Sequence, residues 1–277
     1  MSRLYIQQIE NIWQNQELWL YNHEKQKQGY KLTKVVIDIL GKGKERVCYK
    51  INGKWQVNEW TKKAILLYFR FARNKIISSG ELHAYDKVAP KFDVDWEESN
   101  FEALGVRIIP GAYIREGAFL GKNSVIMPSF INIGAYIGEN TMIDSMTTIG
   151  SCAQIGSNCH ISSNVTIGGV LEPIVETPVI IEDKCFIGSG SQITEGVQIE
   201  QGAVLGSGLI LSSSTKIYNR QTKEITYGRI PPYSVVVPGI INTEGNNYGA
   251  SPLAAIIVKT VDEQTKSKIA INEILRD

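Results

Sequence analysis

The stretch INIGAYIGENTMIDSMTTIGSCAQIGSNCHISSNVTI, residues 131–167, carries an isoleucine at every sixth position without a miss. From the second isoleucine on, the residue two places earlier is small or modest in size, and the residue after it is usually Gly, Ser or Asp. A period of six matches neither the helical 3.6 nor the strand alternation of two, so it indicates a repeat architecture. An antiparallel β domain would alternate with period two between turn signals. We therefore predict a hexapeptide-repeat solenoid.

Such a solenoid closes because each hexad supplies one short strand and one corner, and three hexads complete a triangular turn. The recurrent isoleucine points inward and stacks on the isoleucine one turn away. Small residues at the other inward position keep the triangle narrow, while Gly or Asn tolerates the backbone angles of a corner. We predict a mainly β chain, a left-handed parallel β-helix with an α-rich N-terminal domain and a small C-terminal β/α cap.

The repeats extend on both sides of this stretch. They begin near Arg107 and keep a spacing of six up to Ile126, but Ile131 follows after five residues, which predicts an irregular corner at Pro128-Ser129. After Ile167 the register breaks for fourteen residues, GGVLEPIVETPVII, and it then continues from Ile181 to Ile217. The sequence thus predicts eighteen hexads in about six turns, with a loop at 168–178 that leaves the coil. Loops on a rigid scaffold often carry function.

The flanking segments read as caps for the open ends of the solenoid. Residues 1–103 form the predicted N-terminal domain, with one helix around Ile9, a second that ends at Gly41, and a third that Thr61 caps. A hairpin is predicted around Asn52-Gly53. The β-helix occupies 104–240 and ends in a hairpin and a returning strand. Residues 241–277 should add a strand near 253–261 and a helix from Asp262 onward.

Composition excludes several classes of partner. The net charge of +1 gives no reason to expect nucleic acid or an anionic membrane. The four cysteines show no CxxC spacing, and Cys159 and Cys185 fall in the small inward slot of their hexads, so they read as buried hydrophobes. No apolar run is long enough for a membrane span, and a signal-peptide pattern is absent. A reducing cytoplasm is the expected compartment.

The flat faces of a triangular solenoid suggest assembly. A cyclic homotrimer would place its sites in the clefts between neighbouring subunits, where a long groove beside the extruded loop suits an extended cofactor. By fold analogy, such solenoids are most often CoA- or acyl-carrier-dependent acyltransferases.

Particular motifs are more specific than the hexad pattern. The segments DSMTTIGSCAQIGSNCHIS, IGGVLEP and IIEDKCFIGSGSQITEGV, together with AYDKVAPKF before them and YGRIPPYSVVVPG after them, resemble the tetrahydrodipicolinate N-succinyltransferase family. The resemblance covers roughly residues 45–276. It implies transfer of succinyl from succinyl-CoA to the amine of tetrahydrodipicolinate, in its 2-amino-6-oxopimelate form, in diaminopimelate and lysine biosynthesis. The co-substrate is succinyl-CoA and no metal is expected.

The same resemblance implies site residues. Arg107 matches the family's substrate-binding arginine, and a guanidinium suits bidentate recognition of a carboxylate. Asp144 matches its substrate-site aspartate and is the expected catalytic base. Gln192, in SQITEG, stands where close relatives read SEVVEG with a carboxylate, and an amide cannot serve as a base. Asp144 therefore carries proton transfer alone, or Glu195 substitutes, or the acceptor differs.

The cofactor should lie along the loop. Gly168 and Gly169 would let backbone amides approach the thioester and could supply an oxyanion donor. Basic residues near the last turns are candidates for the CoA phosphates, and they are Lys216, Arg220, Arg229 and Lys259.

The histidine content distinguishes this chain from other classes of solenoid enzyme. A γ-type carbonic anhydrase needs three zinc-binding imidazoles, and of the three histidines only His160 lies in the repeats. His160 reads either as a base like that of sugar acetyltransferases or as a packed edge residue. The alternatives to succinyl transfer are an acyltransferase for an amino sugar or another amine, and a structural solenoid without activity.

Overall fold

The computed structural model describes residues 2–79, 82–92, 95–241 and 251–261, and a left-handed parallel β-helix dominates it. Each turn contributes one short strand to each of three faces, and each strand lies in parallel register with its counterpart one turn away. The predicted hexapeptide-repeat fold is confirmed. The segment 262–277, for which a helix is predicted, lies outside the described residues.

Three flat faces form the prism. The first face consists of Arg107–Ile108, Val125–Ile126, Met142–Ile143, His160–Ile161, Phe186–Ile187, Val204–Leu205 and Ser234–Ile240. The second consists of Tyr113–Ile114, Phe130–Ile131, Thr148–Ile149, Thr166–Ile167, Gln192–Ile193 and Ile210–Leu211. The third consists of Phe119–Leu120, Tyr136–Ile137, Gln154–Ile155, Ile180–Ile181, Gln198–Ile199 and Arg229–Ile230.

The inward column is as apolar as the spacing predicts. Ile143, Ile161 and Ile187 follow one another on the first face and are all 0% exposed. Cys159 and Cys185 belong to the same buried cluster, so the structure confirms them as core residues. Asn and Lys residues take left-handed backbone angles at several corners. The corner at Pro128-Ser129 is one residue short, as predicted, because only three residues separate Val125–Ile126 from Phe130–Ile131.

The last predicted hexad departs from the pattern. Ile217 is buried in the core, but its strand Lys216–Asn219 pairs with Ile225–Thr226 and Leu253–Thr260. The next rung of the third face is supplied by Arg229–Ile230 instead, opposite Gln198–Ile199. The chain therefore makes a hairpin excursion before it rejoins the coil. Leu253–Thr260 then covers this end of the solenoid by pairing with Ser234–Ile240.

The N-terminal domain covers the first four rungs of the third face, from Phe119–Leu120 to Ile180–Ile181. Its described helices are Ser2–Gln14, Gln16–Leu20, His23–Gly41, Glu59–Phe71 and Glu98–Leu104, and its hairpins are Cys48–Ile51 with Lys54–Val57 and Lys75–Ser79 with Leu82–Asp86. The hairpin at Asn52-Gly53 is present as predicted, with both residues at positive φ. The prediction that Thr61 caps the third helix is wrong, because Asn58 is the N-cap and the Thr61 hydroxyl donates to its carbonyl.

Contacts across this interface are specific. The Arg46 guanidinium lies 3.6 Å from the centre of the Tyr136 ring and donates to Gln154 Oε1. Trp55 Nε1 and Lys50 Nζ both donate to Glu182 Oε1, at 2.8 Å and 2.6 Å. Because these contacts cover the third face, the first and second faces and the corner between them are left for other functions.

Candidate active site

Asp144 lies at the corner that joins the first face to the second. Its N–H donates to Ile161 O at 2.9 Å, so the ladder between turns fixes the backbone. Its Oδ1 accepts the Ser145 N–H at 2.7 Å, while its Oδ2 lies 4.0 Å from His160 Nε2. The Asp144 side chain is about a quarter exposed, which leaves one carboxylate oxygen next to solvent and an imidazole.

His160 is the outward residue of the next rung on the first face. Parallel pairing with Met142 sets it directly above the strand that precedes Asp144. Its ring packs edge-to-face on Phe186 of the following rung, with the ring centres 5.4 Å apart. Sequence reasoning left its role open between base and packed edge residue. The structure brings it to Asp144, and a carboxylate beside an imidazole can accept a proton and pass it on.

Arg107 and Gln192 do not meet at this corner within one chain. Arg107 begins the first face and lies two rungs from Met142, so its backbone is about 10 Å from the Asp144 level along the axis. Gln192 lies on the second face, two rungs beyond Thr148 on the other side. Both side chains point outward and are exposed. Asp144 therefore lies midway along the axis between the two predicted substrate-binding residues.

Glu195, the predicted substitute for a carboxylate at position 192, lies at a different corner. It follows Gln192–Ile193 and leads toward the third face. Its Oε2 accepts hydrogen bonds from the Ser213 hydroxyl at 2.6 Å and the Ser213 N–H at 3.1 Å. The carboxylate is thus engaged at another corner two turns beyond Asp144, and this placement argues against the substitution within one chain.

Gly168 and Gly169 begin the loop 168–178 and differ in the state of their backbone N–H groups. The Gly168 N–H donates to Ile193 O at 2.7 Å, so it continues the ladder and is not free to stabilise an oxyanion. Gly169 is exposed, and a Cβ there would lie 2.3 Å from Ser151 N. Of the two glycines, Gly169 retains an N–H that could face a bound thioester.

A buried lysine that sequence reasoning missed holds this loop. Lys62, on the helix Glu59–Phe71, is 0% exposed, and its Nζ donates to Glu176 O at 2.6 Å and to Pro173 O at 3.4 Å. Burial lowers the pKa of its ammonium. The sequence could have indicated the burial of Lys62, because it lies three residues before Ile65 and so shares the apolar face of the helix.

The basic residues proposed for the CoA phosphates do not form one cluster. Arg229, on the third face, pairs with the Glu200 carboxylate, and the hydrogen bond raises the pKa of the guanidinium. Lys216 lies opposite Ala254, and Lys259 is five residues further along that strand, about 17 Å away. A ligand that used all three would have to be extended. Across the part of the chain that the structure describes, no group of three metal-ligating side chains lies together, and no helix is long and apolar enough to span a membrane.

Comparison with known proteins identifies relatives of the whole chain. Residues 5–71 match the model of the tetrahydrodipicolinate N-succinyltransferase N-terminal region. Residues 134–169 match the bacterial transferase hexapeptide model, and 178–213 match the hexapeptide repeat of succinyl-transferase.

Several relatives of similar length share one name. A 2,3,4,5-tetrahydropyridine-2,6-dicarboxylate N-succinyltransferase of Rickettsia bellii is 52% identical over 98% of this chain and 98% of its own length. A protein of the same name from Shewanella amazonensis is 52% identical over 88% of both chains. A Campylobacter jejuni structure, described as a 2,3,4,5-tetrahydropyridine-2-carboxylate N-succinyltransferase, has a TM-score of 0.57 at 17% identity and covers 82% of this chain and 62% of its own. That structure supports the fold.

Proposed function

Because this chain belongs to the 2,3,4,5-tetrahydropyridine-2,6-dicarboxylate N-succinyltransferase family, we propose that it transfers succinyl from succinyl-CoA to tetrahydrodipicolinate. The acceptor reacts as 2-amino-6-oxopimelate, in a step of diaminopimelate and lysine biosynthesis. The observation that carries the proposal is 52% identity with a relative of that name over 98% of both chains. The Asp144–His160 corner supplies a site for the chemistry.

The reaction joins an amine to a thioester. The acceptor nitrogen attacks the thioester carbonyl carbon, a C–N bond forms, and the C–S bond breaks as the CoA thiolate leaves. The nitrogen must lose a proton and the thiolate must gain one. Asp144 Oδ2 takes the amine proton, and His160, 4.0 Å away, stabilises the corner charge and relays the proton toward the sulfur.

The acceptor is a dicarboxylate, so it needs cationic and polar anchors. Arg107 lies about two rungs, or roughly 10 Å, from the Asp144 level, a distance that an extended arginine side chain and a seven-carbon acceptor together span. Its guanidinium binds one carboxylate in bidentate fashion. Gln192 offers amide hydrogen bonds to the acceptor or to the succinyl carboxylate without acting as a base.

CoA is proposed to run from the Asp144 corner toward the last turns. Gly168 and Gly169 line the groove there, with Gly169 the candidate oxyanion donor, and Lys216, Arg229 and Lys259 are the candidate phosphate contacts. Arg229 can bind a CoA phosphate only if its guanidinium also keeps its ion pair with Glu200.

We further propose a homotrimer with sites between subunits, in the cytoplasm where both substrates are metabolised. The N-terminal domain covers the third face, while the outward residues of the first and second faces include exposed Arg107, Tyr113 and Gln192. Packing the first face of one subunit beside the second face of a neighbour would bring Asp144 and Gln192 to the two walls of one cleft.

The test is a comparison of acceptors and donors. Release of the free CoA thiol is followed with succinyl-CoA or acetyl-CoA, and with tetrahydrodipicolinate or an amino sugar as acceptor. We expect turnover with succinyl-CoA and tetrahydrodipicolinate to exceed every other pair. Faster turnover of the amino sugar would favour the alternative acyltransferase, and no thiol release with any pair would leave a structural solenoid.

A further inference from the structure

The N-terminal domain contains a cleft that has no part in the proposed acyl transfer. It opens between the first two turns of the helix His23–Gly41, the end of the helix Glu59–Phe71, and the start of the hairpin strand Lys75–Ser79. Its volume is ≈ 370 Å³, which is within the range of small-molecule sites.

The rim of this cleft is strongly cationic. Lys27, Arg73, Lys75 and Lys87 all line it, and no carboxylate does among the described residues around it. Lys27, Arg73 and Lys75 are exposed, and their side chains form no ion pair or hydrogen bond with any other described residue. Like charges around one cavity repel each other, so the cleft focuses a positive potential that favours a bound anion.

Neighbouring groups hold this arrangement in place. Lys87 Nζ donates to Phe69 O at 2.6 Å, and its N–H donates to Asp86 Oδ1 at 2.7 Å. Asp86 is also the cross-strand neighbour of Lys75, but its other oxygen is bound by Arg115. The Asp86 carboxylate is thus already neutralised by a cation outside the cleft.

The floor of the cleft is aromatic. Tyr30 stacks on Tyr68, with the ring centres 5.7 Å apart, and Phe71 lies beside it and is 8% exposed. Gly29 lets the two helices approach, since a Cβ there would lie 2.7 Å from the Phe71 ring. A flat apolar floor under a cationic rim suits a ligand with a planar body and a charged tail.

We propose that this cleft binds a nucleoside diphosphate or a ligand of the same chemistry. The base lies on Tyr30 and Phe71, and the phosphates lie among Lys27, Arg73, Lys75 and Lys87. The site is separate from acyl transfer, because Asp144 lies on the solenoid at the corner between the first and second faces, whereas this domain packs on the third.

The experiment is calorimetric titration of the full chain with ADP. ADP resembles part of CoA and could also enter the acyl-donor groove, but binding there would not depend on Arg73 or Lys75. The test variant is the double substitution Arg73→Ala/Lys75→Ala, and the matched control is Lys31→Ala/Lys54→Ala, which removes two exposed lysines of the same domain outside the cleft. We expect ADP to bind the wild type and the control alike, and at least about tenfold more weakly to the test variant.

Further ligands and one further assay complete the test. Adenosine and pyrophosphate should each bind more weakly than ADP. Adenosine can contact only the aromatic floor of the cleft, and pyrophosphate can contact only its cationic rim. The KM for the acyl donor should be unchanged in the test variant. The proposal is overturned if the test variant binds ADP as tightly as the control, or if pyrophosphate binds as tightly as ADP.

Discussion

Asp144 is the residue on which the proposed chemistry depends most. The substitution Asp144→Asn keeps the shape and the hydrogen bond from the Ser145 N–H but removes the oxygen that can take a proton beside His160. We expect kcat to fall by about 100-fold or more, with CoA affinity unchanged. Thiol release and calorimetric titration with CoA measure the two quantities.

A matched control is Asp183→Asn. Asp183 is also a corner aspartate whose Oδ1 accepts an N–H, from Ser157 at 2.8 Å, but it lies after a third-face strand and away from His160. It should retain turnover. Wild-type kcat in the Asp144 variant would remove this carboxylate from the mechanism.

Lys91 predicts a specific dependence of stability on pH. Its Nζ donates to Gly41 O at 2.9 Å, and burial lowers its pKa from 10.5 to about 8. Between these values the unfolded chain binds more protons at this site than the folded chain, so the free energy of unfolding rises with pH across that window. Relative to Lys91→Met, the wild type should gain stability from about pH 8 to about pH 10.5 in urea unfolding. A difference that is constant or that shrinks with pH would contradict the assignment.

At the residue scale, the sequence predicted candidate site residues better than it predicted which side chains lie beside them. Asp144 directly follows the inward Ile143, and the structure places it at the outer corner of its hexad. The approach of His160 to Asp144 depends on the regular pairing of Met142 with His160, three hexads apart, and also on side-chain orientations that the spacing does not report. Arg107, Gln192 and the glycine pair remain predictions for the site, since one chain does not bring them together at Asp144.

At the element scale, the loop 168–178 depends on one buried charge. In Lys62→Met the apolar chain fills the same space, but Pro173 O and Glu176 O lose their donor. We expect amide hydrogen exchange across residues 170–178 to rise at least about tenfold. Lys63→Met is the control, because the neighbouring Lys63 pairs with Glu10 instead. Equal exchange in the two variants would show that Lys62 does not hold the loop.

The aliphatic column is the second element with a direct test. Ile161 is 0% exposed and lies between Ile143 and Ile187 on adjacent turns, so Ile161→Ala leaves a cavity that a parallel coil cannot close easily. We expect a loss of about 3 kcal/mol in the free energy of unfolding. Ile210→Ala is the control, since Ile210 is outward and 50% exposed, and its cost should stay below about 1 kcal/mol. Similar losses would contradict the inward assignment.

Periodicity predicts elements well where burial repeats and less well where the chain leaves the coil. The hexads predicted the core isoleucines and the irregular corner, because inward positions tolerate only aliphatic or small residues. Ile217 satisfied the same pattern, yet its strand joined the C-terminal cap and Arg229–Ile230 took the next rung. An inward isoleucine reports burial, and it does not report which strand lies beside it.

For the whole molecule, the covered third face and the two open faces organise the proposed assembly. A trimer of 30.8 kDa chains would place Asp144 of each subunit at a cleft whose other wall carries a neighbour's Gln192. The sequence could predict that the N-terminal domain exists, but its docking rests on contacts such as Arg46 with Tyr136, which join residues far apart in the chain.

The most direct test of the central claim is a donor competition. The enzyme is incubated with tetrahydrodipicolinate and equal concentrations of succinyl-CoA and acetyl-CoA, and the product is identified by mass spectrometry. The account predicts that the N-succinyl product accumulates in large excess over the N-acetyl product, and that no product forms without the acceptor. A predominantly acetylated product, or no acylated tetrahydrodipicolinate at all, would contradict it.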